Sequence, residues 1–159
     1  MPSDASERIA RDGWAVSQWF NTDAPLTLPG LAGKVVVLHT FQMLCRGCVL
    51  HGTPQAQKVA RLFPRDRVAV IGLHTVFEHH DAMTPVSLKA FIHENRLDFP
   101  IGVDEAAEDS FPIPATMAHY RMQGTPSLLL FDPQGQLRKH VFGQVDDMAL
   151  GAEIARLTQ

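Results

Sequence analysis

The sequence predicts an α/β fold, and three stretches carry that prediction. Val35 to His39 is a continuous apolar run ahead of one polar residue, the pattern of a buried central strand. Val68 to Leu73 is a second such run, and the helical pattern between them, ending near Phe63, makes a βαβ unit with parallel strands. Ser127 to Phe131 and Leu137 to Phe142 flank Asp132-Pro133-Gln134-Gly135, a tight turn that makes an antiparallel hairpin.

The remaining elements follow in order. Residues 4 to about 20 read as a weak helix, with Asp4 and Glu7 spaced as a capping box. Trp14, Trp19 and Phe20 are expected to pack this segment onto the body, and Pro25, Pro29, Gly30 and Gly33 mark a connecting loop. In the helix after Cys48, Pro54 lacks an interior donor and implies a kink or a late start. Thr84-Pro85 caps a helix that carries Leu88, Phe91 and Ile92 on one face. Phe99 to Val103 is a short strand whose proline suggests an edge position, 105 to 113 an acidic loop, and Pro114 to Met122 a short helix. Asp146 and Asp147 open a last helix with Leu150, Ile154 and Leu157 on one face.

Composition bounds the function. The chain has 159 residues, 45% apolar and 19% charged, which fits one globular domain with its own core. The net charge of −3 comes without long like-charge blocks, which argues against a nucleic-acid surface or a polybasic membrane patch. No run approaches the roughly 20 apolar residues of a membrane helix. Asp4, Glu7, Arg8, Arg11 and Asp12 interrupt the first 20 residues, so no signal-peptide core is visible and the expected location is the cytoplasm.

The chain has two cysteines, Cys45 and Cys48, placed between the first buried strand and the helix that follows. One pair cannot build a disulfide framework, so catalysis or metal binding is favoured over a structural staple. A helix start lowers a thiol pKa through free backbone N–H groups and the positive dipole end, and Arg46 adds a cation. Cys45, nearer the helix start, is the expected nucleophile on a substrate disulfide, with Cys48 resolving the mixed disulfide. Two rival readings stay open. Cys45, Cys48 and His51 with His39 could hold zinc, although structural zinc usually draws paired ligands from two segments. The cysteines could also be inert and buried.

With the Cys-x-x-Cys at a helix start and Gly124-Thr125-Pro126 before the hairpin, the chain resembles the thioredoxin-like superfamily. The roughly 50 residues between the second strand and Thr125-Pro126 imply an insertion of extra elements. That segment, with Phe99 to Asp104 and Tyr120 to Pro126, resembles the redoxin branch, which holds TlpA-like thiol–disulfide oxidoreductases and alkyl hydroperoxide reductase/thiol-specific antioxidant relatives. The resemblance covers about residues 20 to 158 and implies one domain over 1–159, with residues 1–20 an N-terminal helical extension and a central mixed sheet flanked by helices. It implies no cofactor beyond the redox-active Cys45–Cys48 pair, a protein or small-molecule disulfide as substrate, and a thiol as electron donor or acceptor. It further implies a cis Thr125–Pro126 bond beside the dithiol, with the Thr125 backbone pairing to substrate and Pro126 keeping metal off the cysteines. A trans proline opening the strand is the alternative.

The chain also departs from the pattern. Thioredoxins place a tryptophan before the first cysteine, where this chain has Leu44, and a buried acid six residues before it, where this chain has His39. His39 reads either as a proton acceptor for Cys48 or as a satisfied core histidine. The helix proline, Pro54, lies six residues past Cys48 rather than five. His74 and Glu78 follow the second strand at its carboxyl end, where ligands collect. Glu78 could supply the missing acid, or the segment could be a solvated loop, and His79 with His80 makes a weaker metal candidate. A peroxidase is the second functional reading. The peroxiredoxin Pro-x-x-x-Thr-x-x-Cys is not matched, since those positions hold Leu38 and Gln42 for Cys45, and Phe41 and Cys45 for Cys48. A non-enzymatic binding module or zinc site is the third.

Overall fold

The computed structural model describes residues 4–159. Six strands form one mixed sheet: β1 (Val16–Phe20), β2 (Val35–Phe41), β3 (Val68–His74), β4 (Ile101–Asp104), β5 (Ser127–Phe131) and β6 (Leu137–Phe142). Their order is β1-β4-β3-β2-β5-β6. β2, β3 and β4 run parallel, while β1, β5 and β6 are antiparallel to their neighbours. β2 is buried along its whole length because it lies in the middle, with strands on both sides and helices on both faces.

Alternation along the strands builds two cores. Val35, Val37, Phe41, Val68, Val70, Leu128 and Leu130 face one layer, covered by α2 (Thr53–Leu62), α3 (Pro85–Glu94) and α5 (Asp147–Leu157). Val36, Leu38, Ile71, Leu73, Leu129 and Phe131 face the other, under Trp14, Met117 and Met122. Each fully buried Leu or Ile contributes about 1.5–3 kcal/mol relative to exposure, so the two layers and not local propensity hold the sheet. The caps expected for α3 and α5 are present: Thr84 Oγ1 accepts from Ser87 N at 3.2 Å and Asp146 Oδ2 from Ala149 N at 2.9 Å.

Two expectations need correction. The helical extension over 1–20 holds only as α1 (Asp4–Asp12), and residues 1–3 lie outside the described residues. Gly13 closes the helix at φ +94°, with its N–H on the Ile9 carbonyl at 2.8 Å, a left-handed cap that glycine adopts freely. Val16–Phe20 then becomes a strand because β4 offers an unpaired backbone edge, with Trp19 opposite Gly102 and Phe20 opposite Ile101. Packing of Trp14, Trp19 and Phe20 stands: Trp14 is buried, Trp19 meets it edge-on, and Phe20 lies against the other core. For the same reason β4 is not an edge strand. Pro100 precedes it, and β1 covers its outer side.

The long segment after β3 contains α3, β4 and the short α4 (Ala115–His119). Asp104, buried at the end of β4, ties this segment together. Its carboxyl accepts from Thr75 Oγ1, Thr116 N at 2.9 Å and Met117 N at 3.1 Å. Burial pushes its pKa up to about 6, against the pull of those hydrogen bonds.

Candidate active site

Helical backbone begins at Arg46, immediately after Cys45. Cys48–Gly52 forms a π-type stretch before α2 becomes regular at Thr53, and Pro54 lies in the first turn of α2. The wider turn accommodates the ring of a proline whose missing N–H leaves a carbonyl unpaired. The helix therefore starts well before the proline, and the irregularity that Pro54 implied takes the form of this π-type stretch. Arg46 is exposed at the first helical position.

Cys45 and Cys48 are joined in a disulfide with Cα atoms 5.2 Å apart. Cys45 is half-buried and Cys48 is fully buried. The Cys48 N–H donates to Cys45 Sγ at 3.3 Å, so the helix start directs a backbone donor at the outer sulfur. The segment before Cys45 is fixed from below. Met43 N–H donates to His74 Nε2 at 3.3 Å, and Leu44 N–H approaches Met83 Sδ at 3.4 Å. An accepting Nε2 must be unprotonated, and burial holds the His74 pKa down at about 4. His74 therefore anchors the loop.

The Thr125–Pro126 peptide is cis. The Thr125 carbonyl oxygen lies 3.4 Å from Cys45 Sγ, and its hydroxyl donates to the same sulfur at 3.5 Å. The helix start rests on the proline ring. A Cβ on Gly47 would meet Pro126 Cδ at 3.1 Å, and one on Gly52 would meet Pro126 Cβ at 3.0 Å.

His39 lies under this start, fully enclosed. Its ring stacks on Phe41 with centroids 5.1 Å apart, and its Nε2 shares a hydrogen bond with Thr53 Oγ1 at 2.9 Å. Burial lowers its pKa to about 3. Glu78 is exposed, and it reaches the site through Gln42, whose Nε2 donates to Glu78 Oε1 at 3.5 Å and to Thr125 Oγ1 at 3.3 Å. Among the described residues, no three His, Cys, Asp or Glu side chains converge as a metal site.

Gln42, Thr53 and Met83 are site residues that sequence reading passed over. Gln42 alone carried a signal, as a polar residue between Phe41 and Met43 next to the dithiol, where an amide requires partners.

A strand-to-helix disulfide with an outer half-exposed sulfur, set against a cis-proline at the start of an opposing strand, defines a thiol–disulfide oxidoreductase. No protein-family model matches the chain. It is 60% identical to a thioredoxin-like superfamily protein of known crystal structure, with a TM-score of 0.89 and coverage of 91% of this chain and 93% of that one. It is 51% identical to a thiol-disulfide isomerase from Corynebacterium glutamicum, with a TM-score of 0.88 and coverage of 92% and 94%. The chain belongs to the thioredoxin-like superfamily. It is also 28% identical over 130 residues to NHL repeat-containing protein 2 of Gallus gallus, and that match covers 80% of this chain but spans only 16% of that relative's length. No helix among the described residues is long and apolar enough to cross a membrane.

Proposed function

We propose that the chain carries out thiol–disulfide exchange on protein disulfides, with Cys45 as nucleophile and Cys48 as resolving thiol. The observation that carries this is the asymmetry of the pair: Cys45 is half-buried beneath an N–H and an O–H donor, and Cys48 is enclosed. In the reduced protein the Cys45 thiolate attacks a substrate disulfide, forms the Cys45–substrate bond and expels one substrate thiolate. Deprotonated Cys48 then attacks Cys45 Sγ, closes the Cys45–Cys48 disulfide and releases the second substrate thiol. Two electrons pass to the substrate, and an external thiol returns them.

The rim supports a polypeptide substrate. Leu44, Val49, Leu50 and Phe142 are exposed around or near the dithiol, and exposed apolar groups at a site suit an apolar partner. An extended substrate crossing Cys45 runs beside the Thr125 main chain, as the family resemblance implies. Arg46 contributes a cation next to Cys45. His39, His74 and Glu78 act in this reading as supports, with His39 under the helix start, His74 under Met43 and Glu78 behind Gln42. In a reducing cytoplasm the dithiol is the resting form and the protein acts as a reductase; an oxidising compartment reverses the direction.

The test is reduction of insulin disulfides by the dithiothreitol-recycled protein. Cys45→Ser is expected to abolish turnover, and Cys48→Ser to accumulate a mixed disulfide with substrate. Unchanged turnover in Cys45→Ser would sink the mechanism. Peroxide consumption exceeding disulfide reduction would move the TlpA-like reading to the antioxidant one.

A further inference from the structure

Gln42 is 1% exposed and lies behind the disulfide, on the turn between β2 and the helix. A buried primary amide has two donors and a carbonyl to place, and leaving one unpaired is unfavourable. All of them are placed here. The Phe77 N–H donates to Gln42 Oε1 at 3.2 Å, which fixes which end of the amide is oxygen. The two Nε2 hydrogens then face Glu78 Oε1 at 3.5 Å and Thr125 Oγ1 at 3.3 Å. Thr125 Oγ1 must accept from an amide that has only donors on that side. Its own hydrogen is left for Cys45 Sγ, 3.5 Å away. The protons of this chain thus run outward from Gln42, one toward Glu78 and the others through Thr125 toward the sulfur.

We propose that Gln42 is a positioning residue for Cys45, holding the Thr125 hydroxyl so that it donates to the outer sulfur and stabilises the Cys45 thiolate that attacks substrate. The inference deepens the thiol–disulfide exchange reading and depends on it for its purpose. An O–H donor aimed at a thiolate favours the charged form, as the Cys48 N–H does from the other side. The other charged or titratable groups around this sulfur are Arg46 at the helix start, Glu78 behind the amide, His74 beneath Met43 and His39 beneath Gly52. None of them bonds Thr125 Oγ1, so the amide is what controls the hydroxyl among the described residues.

The experiment measures the Cys45 pKa of the fully reduced protein from thiolate absorbance near 240 nm and from the pH dependence of iodoacetamide alkylation. The variants are Gln42→Met, Thr125→Val and the double substitution, each checked for native circular dichroism and for closure of the Cys45–Cys48 disulfide. Methionine has nearly the volume of glutamine, so the core stays filled. Thr125→Val should raise the Cys45 pKa by about one unit, the scale of one hydrogen bond to a charged group. Gln42→Met should raise it by roughly half that or more, and the double variant should match Thr125→Val alone, since Gln42 acts through Thr125. A Gln42→Met protein with an unshifted Cys45 pKa overturns the proposal, as does a double variant whose shift is the sum of the two. Insulin turnover by the wild-type protein is a separate readout. Its absence removes the exchange reading, whereas turnover with an unmoved pKa in Gln42→Met removes only the role of Gln42.

Discussion

A Cβ on Gly52 would fall 2.7 Å from His39 Cε1 and 3.0 Å from Pro126 Cβ, so the helix, the buried imidazole and the cis-proline touch at one point. His39 cannot swing aside, because it is stacked on Phe41 and bonded to Thr53. Gly52→Ala sets two effects against each other. Removing a glycine from a helix interior stabilises by about 0.5–1 kcal/mol, while overpacking a filled site costs about 1–3 kcal/mol. The neighbours are a pinned ring and a proline, so overpacking wins. We expect Gly52→Ala to lose about 1–2 kcal/mol in urea unfolding of the oxidised protein and to slow turnover. An unchanged midpoint would show that the π-type stretch shifts to make room.

The same packing bears on the role of His39. A base with pKa about 3 is a poor acceptor for a thiol proton, whose ordinary pKa is near 8.5. We expect His39→Gln to lower stability by about 1–3 kcal/mol through lost stacking and packing, while the pH profile of insulin reduction keeps its shape. A profile displaced by a unit or more, in a variant of unchanged stability, would restore His39 as the proton acceptor.

What was legible in the sequence follows from range. The cysteine pair, Thr125-Pro126, the caps at Thr84 and Asp146 and the buried runs of β2, β3 and β5 are local patterns, and each lies where its residues imply. β1 was not legible, because Val16-Ser17-Gln18-Trp19-Phe20 has no clean alternation, even though Asp12-Gly13 ahead of it marks a break in the helix. It is a strand only because β4, some 85 residues away, presents an open edge. The polar site shows the same limit. Gln42 meets Glu78 and Thr125 across separations of 36 and 83 residues, and no spacing rule reaches that far.

The turn joining β5 to β6 gives a stability test away from the dithiol. Asp132 is buried, its Oδ1 accepts from Gln134 N at 3.0 Å and Gln136 N at 2.9 Å, and its Oδ2 accepts from Arg138 Nη1 at 3.2 Å. Replacing it with alanine leaves two backbone donors without their acceptor, a loss of about 1–3 kcal/mol. We expect Asp132→Ala to lower the urea midpoint accordingly and leave the rate of insulin reduction per folded molecule unchanged. A loss under about 0.3 kcal/mol would mean that water replaces the carboxylate at no penalty.

Buried ionisable groups set the acid limb of stability, and their signs differ. His39 and His74 have folded pKa values of about 3 and about 4, below the ordinary 6.5, because burial disfavours the charged ring. As pH falls from 6.5 toward 4, the unfolded chain takes up two protons that the folded chain refuses, and stability declines. Asp104 works the other way. Its folded pKa of about 6 exceeds the ordinary 3.8, so the folded chain holds an extra proton between those values, and that stabilisation is lost as pH rises through 6. Asp147, held low by Lys58 and Gln55, acts only below about pH 4 and leaves this window untouched. The net difference near pH 5 is close to one proton, a slope of roughly 1 kcal/mol per pH unit, with stability rising toward neutrality. Asp104→Asn removes the opposing contribution. Its absolute stability falls with the altered acceptor, but its slope between pH 4.5 and 6 should approach about twice the wild-type value. Urea midpoints across that range read both. A flat wild-type profile, or a shallower one in Asp104→Asn, would show that the histidines are not buried in their neutral form.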